Sequence, residues 1–213
     1  MSGTEQGFFP AREVEIETVV QKSKFITRVF PVNSEEEARA LLEKVRELHR
    51  DANHNVYAYR VGTAERCSDD GEPSGTAGRP VLEVILREQV KQVLVVVTRY
   101  FGGIKLGAGG LIRAYAQSAK GALEQAGKRL PIPYRELVIF LEYNLFDRIQ
   151  HIVGLRGYHI ENVVYAQNIE MKVLAPVSEV EEFCTLLREV SAGALDWQLG
   201  GETLRCIDIK VQD

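Results

Sequence analysis

The sequence predicts an α+β protein with two domains, and three observations support this class. The 213 residues are enough for one large domain or two small ones. Two prolines within residues 130–133 favour a stiff, extended linker that divides the chain into residues 1–130 and residues 134–213. Beyond this linker the patterns predict strand, helix, strand, strand, helix and strand, an order typical of a ferredoxin-like domain.

The first predicted domain begins with a hairpin and a helix. Apolar and β-branched residues alternate with glutamates over residues 14–20, which predicts a half-buried strand. A short link leads to a second strand at residues 25–32. Asn33 or Ser34 is placed to cap a helix that has three glutamates in its first turn and that ends near residues 49–51.

A strand, a loop and a second helix follow in the predicted order. The segment VYAYRV at residues 56–61 predicts a strand. Residues 62–78 are rich in Gly, Ser, Asp and Pro, and this composition predicts a loop. Ser74 or Thr76 is expected to cap a helix that continues to about Glu88 and has a proline in its first turn.

The stretch from residue 93 to residue 127 is the most informative part of the sequence. A β-branched apolar run at residues 93–97 predicts a strand buried on both faces, and an apolar stripe from Leu111 predicts a helix that stops at Gly127. Five glycines lie in the loop between them: Gly102, Gly103, Gly107, Gly109 and Gly110. So many glycines indicate positive φ angles, or a close approach of the backbone to a ligand or to another segment.

This glycine-rich loop is a candidate anion site. It ends at a helix N-terminus, where free N–H groups and the helix dipole favour negative charge. Four cations and no acid lie between Thr98 and Leu123, namely Arg99, Lys105, Arg113 and Lys120. We predict that the glycines and cations bind phosphate groups or a nucleic acid; the alternative is a tight crossover surrounded by solvated cations.

A histidine and an acidic turn form a second group of candidates. The carboxylates of Asp69 and Asp70 are able to hold Mg²⁺ or to act as acid and base, although such turns are more often held by Asx-type hydrogen bonds. His54 could serve as a general base or could bond the neighbouring loop. We expect all three residues to organise the loop, and we predict no catalytic residue, no metal site and no cofactor.

Composition sets the broad class of protein. The chain is 45% hydrophobic and 26% charged, which is ordinary for a soluble globular protein. Its net charge of −4 excludes a wholly basic nucleic-acid binder but allows a local basic face. The three cysteines are scattered, which argues against a disulfide framework and favours a reducing cytoplasm. No apolar run approaches the ~20 residues of a membrane span.

Two long segments resemble the signature of the Impact family. They are SDDGEPSGTAGRP at residues 68–80 and VVVTRYFGGIKLGAGGLIRAY at residues 95–115. Two shorter segments resemble its upstream motifs, HNVYAYRVG at residues 54–62 and KSKF at residues 22–25. The part beyond the linker resembles the second domain of the bacterial YigZ-like branch in its element order, length and position.

The resemblance implies a fold and a role. The family's N-terminal domain is an α/β sandwich similar to the second domain of ribosomal protein S-five and to domain four of translocation factor G. Its C-terminal domain is similar to that factor's ferredoxin-like domain five. Eukaryotic members regulate translation and carry an RWD domain before the Impact domain. We expect no RWD domain in this chain, so their kinase-regulating role is not carried over to it.

We therefore expect a cytoplasmic, non-enzymatic accessory or regulatory protein of translation. Its expected partners are RNA, the ribosome or translation-related proteins, and no membrane. One alternative is a small-molecule phosphate-handling enzyme that uses the glycine-rich loop, and another is a protein-interaction module. A deep pocket that joins Asp70 to Gly107 would favour the enzyme, whereas an open basic face would favour RNA.

Overall fold

The computed structural model describes residues 7–208, which form two five-stranded sheets and five α-helices. These residues divide into two compact units, one of residues 7–130 with residues 207 and 208, and one of residues 131–206. The outermost parts of the two predicted domains, residues 1–6 and 209–213, lie outside the described residues. Independent folding of the two units stays a prediction.

The first unit contains six strands and three helices within the described residues. They are β1 (Phe9–Pro10), β2 (Val14–Val20), β3 (Ser23–Pro31), α1 (Glu35–Leu48), β4 (His54–Val61), β5 (Ala64–Ser68), α2 (Gly78–Arg87), β6 (Val93–Tyr100) and α3 (Gly107–Ala126). Five of these strands form an antiparallel sheet in the order β2-β3-β6-β4-β5. The central strand β6 is therefore paired on both sides.

Helices cover both faces of this sheet. Val93, Val95 and Val97 of β6 belong to the core that contains α2 and α3, whereas Leu94 and Val96 belong to the core that contains α1. This alternation confirms the prediction of a strand buried on both faces, because successive side chains of a strand point to opposite sides. Burial of this kind stabilises the fold by roughly 1.5–3 kcal/mol per large apolar side chain.

Most of the predicted elements of the first unit are confirmed, and the differences have local causes. Ser34 caps α1 as predicted, since its hydroxyl accepts the N–H of Glu37 at 3.1 Å. Residues 62–78 were predicted as loop throughout, but they contain β5. The predicted caps of α2 are wrong: its N-cap is Ala77, and no side chain of the cap residue bonds the helix.

Helix α3 begins earlier than the sequence pattern indicates. It starts at Gly107, so Gly107, Gly109 and Gly110 belong to its first turn and only Gly102 and Gly103 lie in the preceding loop. No acidic residue lies in this first turn, and the side chain of its N-cap residue, Leu106, makes no capping hydrogen bond. The helix ends as predicted at Gly127, whose φ is 71°.

The second unit has the predicted order of elements. They are β7 (Lys128–Leu141), α4 (Tyr143–Leu155), β8 (His159–Tyr165), β9 (Ile169–Pro176), a 3-10 turn (Val177–Glu179), α5 (Val180–Val190) and β10 (Asp196–Asp208). Strand β7 pairs with β9 and with β10, and β9 also pairs with β8. Strand β1 pairs with the first two residues of β7. A separate apolar core includes Leu137, Ile139, Met171 and Phe183.

Two predictions for this half need correction. Residues 130–133 lie within β7, so the two prolines occupy a continuous strand and not a separate linker. The last strand was predicted at residues 203–211 but begins at Asp196, and residues 209–211 lie outside the described residues. None of the described helices combines the length and the apolar character that crossing a membrane requires.

Candidate functional site

A cavity of about 460 Å³ lies in the first unit and collects residues from three of the sequence segments described above. Its polar wall contains Asn53, His54, Glu72, Arg99 and Lys105. Its apolar wall contains Pro73, Phe101, Leu106, Ala108 and Leu111, and Gly107 also borders it. The cavity therefore joins the start of β4, the acidic turn and the glycine-rich loop.

Asp69 holds the acidic turn against the start of α2. Its Oδ1 accepts the backbone N–H groups of Ala77 and Gly78 at 3.0 and 2.8 Å, and its Oδ2 accepts that of Gly75 at 2.8 Å. Burial alone would raise the pKa of this carboxyl, but the three hydrogen bonds outweigh it and lower the pKa below the usual value. Asp69 thus caps α2 from eight residues upstream.

Asp70 connects the acidic turn to β4 and to α1. Its Oδ2 accepts the N–H of Asn55 at 2.6 Å, and its Oδ1 lies 3.4 Å from Nη2 of Arg46. Asp70 does not border the cavity; Glu72 does, so the pocket that reaches Gly107 starts from a different carboxylate than the sequence suggested. Among residues 7–208 no group of three or more His, Cys, Asp or Glu side chains is arranged to hold a metal ion.

Glu72 and Arg99, which both border the cavity, form a buried ion pair. Nη1 of Arg99 donates to Oε1 of Glu72 at 2.6 Å, and the two side chains are only 6% and 3% exposed. The hydroxyl of Tyr115 donates to the same Oε1 at 2.8 Å, and Nη2 of Arg99 donates to Ser23 at 3.3 Å. Burial, and then the charge of Glu72, raises the pKa of Tyr115 above its usual value.

This pair changes the role that we predicted for Arg99. Its charge is balanced by Glu72 within the fold, so Arg99 is not one of the exposed cations that are able to meet a phosphate. Glu72 was considered only as part of the acidic turn, and neither Glu72 nor Tyr115 was among the predicted site residues. The signal was present, because Glu72 belongs to the acidic turn and Tyr115 lies one turn beyond the glycines on α3.

One ring nitrogen of His54 is held by a hydrogen bond at the cavity wall. Its Nδ1 lies 2.8 Å from the carbonyl oxygen of Asp70. A carbonyl oxygen only accepts hydrogen bonds, so Nδ1 must carry the hydrogen, and in the neutral ring Nε2 carries the lone pair. Nε2 lies 3.8 Å from Oε2 of Glu72. His54 therefore bonds the neighbouring loop and also borders the cavity.

The glycines of the loop and of the first turn of α3 are present for different structural reasons. A Cβ on Gly102 would lie 2.0 Å from the backbone carbonyl of Lys22, so the close approach of another segment requires glycine there. Gly103 and Gly107 have φ angles of 84° and 69°, which strain other residues. A Cβ on Gly109 would meet nothing closer than 4.0 Å. Both reasons that we predicted for the glycines therefore apply, at different positions.

Of the three remaining predicted cations, Lys105 and Arg113 lie on the surface around the start of α3, whereas Lys120 lies in the second half of the helix. Lys105 and Arg113 are exposed, and Lys105 also borders the cavity. Lys120 is exposed as well, but its Nζ lies 3.6 Å from Glu124. Three apolar side chains of the same region are also exposed, Phe101, Ile104 and Ile112, at 45%, 43% and 42%. The surface around the start of α3, where Lys105 and Phe101 also border the cavity, therefore combines cations with apolar and aromatic side chains.

Comparison with known proteins gives the family of this chain. The Impact N-terminal domain matches residues 21–123, a range that contains every predicted site residue, and a domain of unknown function (DUF1949) matches residues 139–194. The IMPACT family member YvyE of Bacillus subtilis is 36% identical over 197 residues, which is 91% of each chain. The chain belongs to the Impact family. The resemblance seen in the sequence motifs is thereby confirmed.

Further comparisons place this Impact family member in the bacterial branch and support the fold. The IMPACT family member YigZ of Escherichia coli is 35% identical over 196 residues, covering 90% of this chain and 96% of that protein. A solved structure described as an hypothetical protein is 32% identical and has a TM-score of 0.60, covering 98% of this chain and 100% of that one. Both matches extend over the two units, so the family likeness includes the second half.

Proposed function

We propose that this Impact family member is a non-enzymatic accessory protein of translation that binds RNA, either free or in the ribosome. The rim of the cavity at the start of α3 is the contact surface. The observation that carries this proposal is the position of Lys105 and Arg113, two exposed cations beside a helix N-terminus that has no acid in its first turn and no capping hydrogen bond from its N-cap residue. Free N–H groups and cations together favour phosphate oxygens.

Because the chain is acidic overall, the proposed RNA contact is confined to a local basic surface. The sequence has 26 basic and 30 acidic residues, so the protein as a whole repels a polyanion. An exposed helix end contributes only about 0.3–1 kcal/mol toward an anion, which is too little for tight binding by itself. The side chains of Lys105 and Arg113 must therefore supply most of the electrostatic attraction, and the interaction must weaken as salt screens it.

The exposed aromatic surface favours RNA with unpaired bases, and not duplex RNA, as the ligand. Phe101 is 45% exposed next to the cavity. Unpaired bases stack on aromatic side chains for about 1–3 kcal/mol each, and this contribution is absent when the bases are paired within a helix. Single-stranded loops, such as those of ribosomal RNA, are accordingly the proposed target.

The fold gives this proposal a translation context. We propose that the first unit is an α/β sandwich like the second domain of ribosomal protein S-five, and that the second is ferredoxin-like. The strand order β10-β7-β9-β8 of the second unit supports the latter assignment. By its resemblance to proteins and factors of the ribosome, we propose a cytoplasmic role at the ribosome or with translation-related proteins.

A salt series tests this function. Fluorescence anisotropy with labelled single-stranded RNA, and co-sedimentation with purified ribosomes, are measured at 50 and 200 mM salt. Two or three phosphate contacts predict an affinity loss of about tenfold over this range, because each contact releases bound counterions. Absence of binding to both RNA and ribosomes at 50 mM salt would contradict the proposal.

A small-molecule enzyme is a second candidate, and the cavity itself favours it. Its volume of about 460 Å³ falls within the range of ligand sites, roughly 300–1,000 Å³. Nε2 of His54 at its wall is a candidate general base toward a phosphorylated small molecule held at Lys105. Turnover of such a compound, lost in His54→Ala and retained in His151→Ala on α4, would support this second candidate against the first.

A further inference from the structure

Two hydrogen-bond acceptors lie side by side at the cavity wall without a donor. Oε1 of Glu72 already accepts from Arg99 and Tyr115, but its Oε2 accepts from none of the described residues. Nε2 of His54 carries a lone pair in the neutral ring, because Nδ1 must donate to the carbonyl of Asp70. The two acceptors are 3.8 Å apart. A ligand with two adjacent N–H donors would satisfy both of them.

Guanine is the standard RNA base that offers this pattern. Its N1–H and its exocyclic amino group are neighbouring donors on the Watson–Crick edge. Adenine and cytosine offer one amino group beside a ring nitrogen that accepts, and uracil offers one N–H between two carbonyls. Two neighbouring acceptors are therefore complementary to guanine, and they leave at least one unfavourable contact with each of the other three bases.

The rest of the cavity suits a planar, uncharged base. Its apolar wall is formed by Pro73, Phe101, Leu106, Ala108 and Leu111, and its volume of about 460 Å³ is in the usual range for a ligand site. Phe101 is partly exposed at the rim, where its ring is able to stack on a base.

The charge of the rim points to a nucleotide and not to a cationic ligand. Lys105 and Gly107, the first residue of α3, border the same cavity as Glu72 and His54. Arg99 balances the charge of Glu72, so Lys105 and the helix N-terminus set the sign of the potential. An ammonium or guanidinium group also presents adjacent donors, but it would be repelled there, whereas a phosphate would be attracted.

We propose that this cavity is a guanine-selective site for one unstacked nucleotide of the bound RNA. The base lies against the apolar wall with N1–H and the amino group on Glu72 and His54, and the adjoining phosphate lies at Lys105 and the start of α3. This assignment deepens the proposed function and rests on it. It also predicts which RNA positions the protein selects.

Two sets of ligands test the assignment on the parent protein. Calorimetry compares guanosine, inosine, adenosine, cytidine and uridine 5′-monophosphates, and inosine lacks only the exocyclic amino group of guanosine. Anisotropy compares a nine-nucleotide uridine RNA with the same RNA carrying one central guanosine. We expect the guanosine forms to bind at least tenfold more tightly than the uridine forms, and inosine monophosphate to lose most of the preference.

A substitution of His54 tests whether the guanine preference arises in this cavity. His54→Leu removes one acceptor, so we expect its affinity for guanosine monophosphate to fall to that for uridine monophosphate. The matched control is His151→Leu, an exposed histidine of α4, which keeps the guanine preference. Circular dichroism and thermal unfolding check that both variants fold. The comparison of inosine with guanosine monophosphate tests the same pairing on the unsubstituted protein. The pairing can therefore be tested even if His54→Leu does not fold.

The outcomes separate this inference from the proposed function. Equal, salt-dependent binding of both RNAs, with no preference among the mononucleotides, would overturn the guanine site and leave RNA binding standing. Selective binding of guanosine monophosphate without any RNA binding would support the site and overturn the RNA function. Equal binding of inosine and guanosine monophosphates would overturn the pairing with two acceptors.

Discussion

Oε1 of Glu72 lies 2.6 Å from Nη1 of Arg99, and this buried pair connects the two longest family motifs. Glu72 belongs to the acidic turn and Arg99 to the end of β6, and the hydroxyl of Tyr115 on α3 donates to the same carboxylate oxygen. The pair therefore fixes the turn, the central strand and the long helix around one cavity. It also leaves the second oxygen of Glu72 at the cavity wall.

Arg99→Met should destabilise the protein strongly. Removal of one partner leaves the carboxylate of Glu72 buried without a counter-charge, which costs about 3–5 kcal/mol. The control is Arg79→Met, since the pair of Arg79 with Glu83 is exposed on both sides and contributes less than about 1 kcal/mol. Urea denaturation measures both free energies of unfolding. Similar losses in the two variants would mean that burial of the Glu72 pair has no special effect.

Asp69→Asn should weaken the fold in a pH-dependent manner. The pKa of Asp69 is lowered in the folded state, so the carboxylate stabilises the fold above its unfolded pKa, and this contribution is lost as pH falls through the folded pKa. We expect a loss of about 1–3 kcal/mol at pH 7, where three N–H groups lose a charged acceptor. The difference from the parent should shrink below pH ~4. Denaturation midpoints that differ equally at pH 7 and pH 3 would contradict this.

Gly102→Ala and Gly109→Ala should have opposite effects. A Cβ at Gly102 would lie 2.0 Å from the backbone carbonyl of Lys22, so the loop must shift and the protein should lose stability. A Cβ at Gly109 has open space in the first turn of α3, where alanine is favoured over glycine by roughly 0.5–1 kcal/mol. Thermal unfolding compares the two. An unchanged melting temperature in Gly102→Ala would show that the close approach is not required.

The second unit should fold by itself. Residues 137–187 contribute a core of their own that includes Leu137, Ile149 and Phe183. A fragment of residues 131–213 is therefore expected to show a cooperative thermal transition and dispersed amide resonances. Proteolysis within residues 130–133 is not expected, because they lie inside β7. A fragment that stays unfolded unless residues 1–130 are present would place the boundary elsewhere.

Local patterns explain which features the sequence could predict. Ser34 as a cap, the two buried faces of β6 and the stop at Gly127 each depend on a few adjacent residues. Strand β5 was missed because AERCS has no apolar alternation; its residues are mostly exposed and are held by pairing with β4. A strand of this kind forms because it pairs with a neighbouring strand, and the residue pattern of the strand itself carries no signal of that pairing.

The sequence predicts which segments form the candidate site, but it does not predict which side chains contact one another there. The sequence identified the acidic turn, His54 and the glycine-rich loop, and the structure places them around one cavity. Arg99 was grouped with exposed cations because its partner lies 27 residues away, and separation along the chain carries no information on such a contact. The capping of α2 by Asp69 was missed for the same reason, since it spans eight or more residues.

The most direct measurement compares RNA and ribosome binding of two double charge reversals at 50 mM salt. Lys105→Glu with Arg113→Glu reverses the two exposed cations at the start of α3. Lys44→Glu with Arg87→Glu makes the same change in net charge at exposed positions on α1 and α2. We expect the first variant to lose binding and the second to retain most of it, with both folded by circular dichroism. If the first variant binds as well as the parent, the start of α3 is not the RNA contact surface.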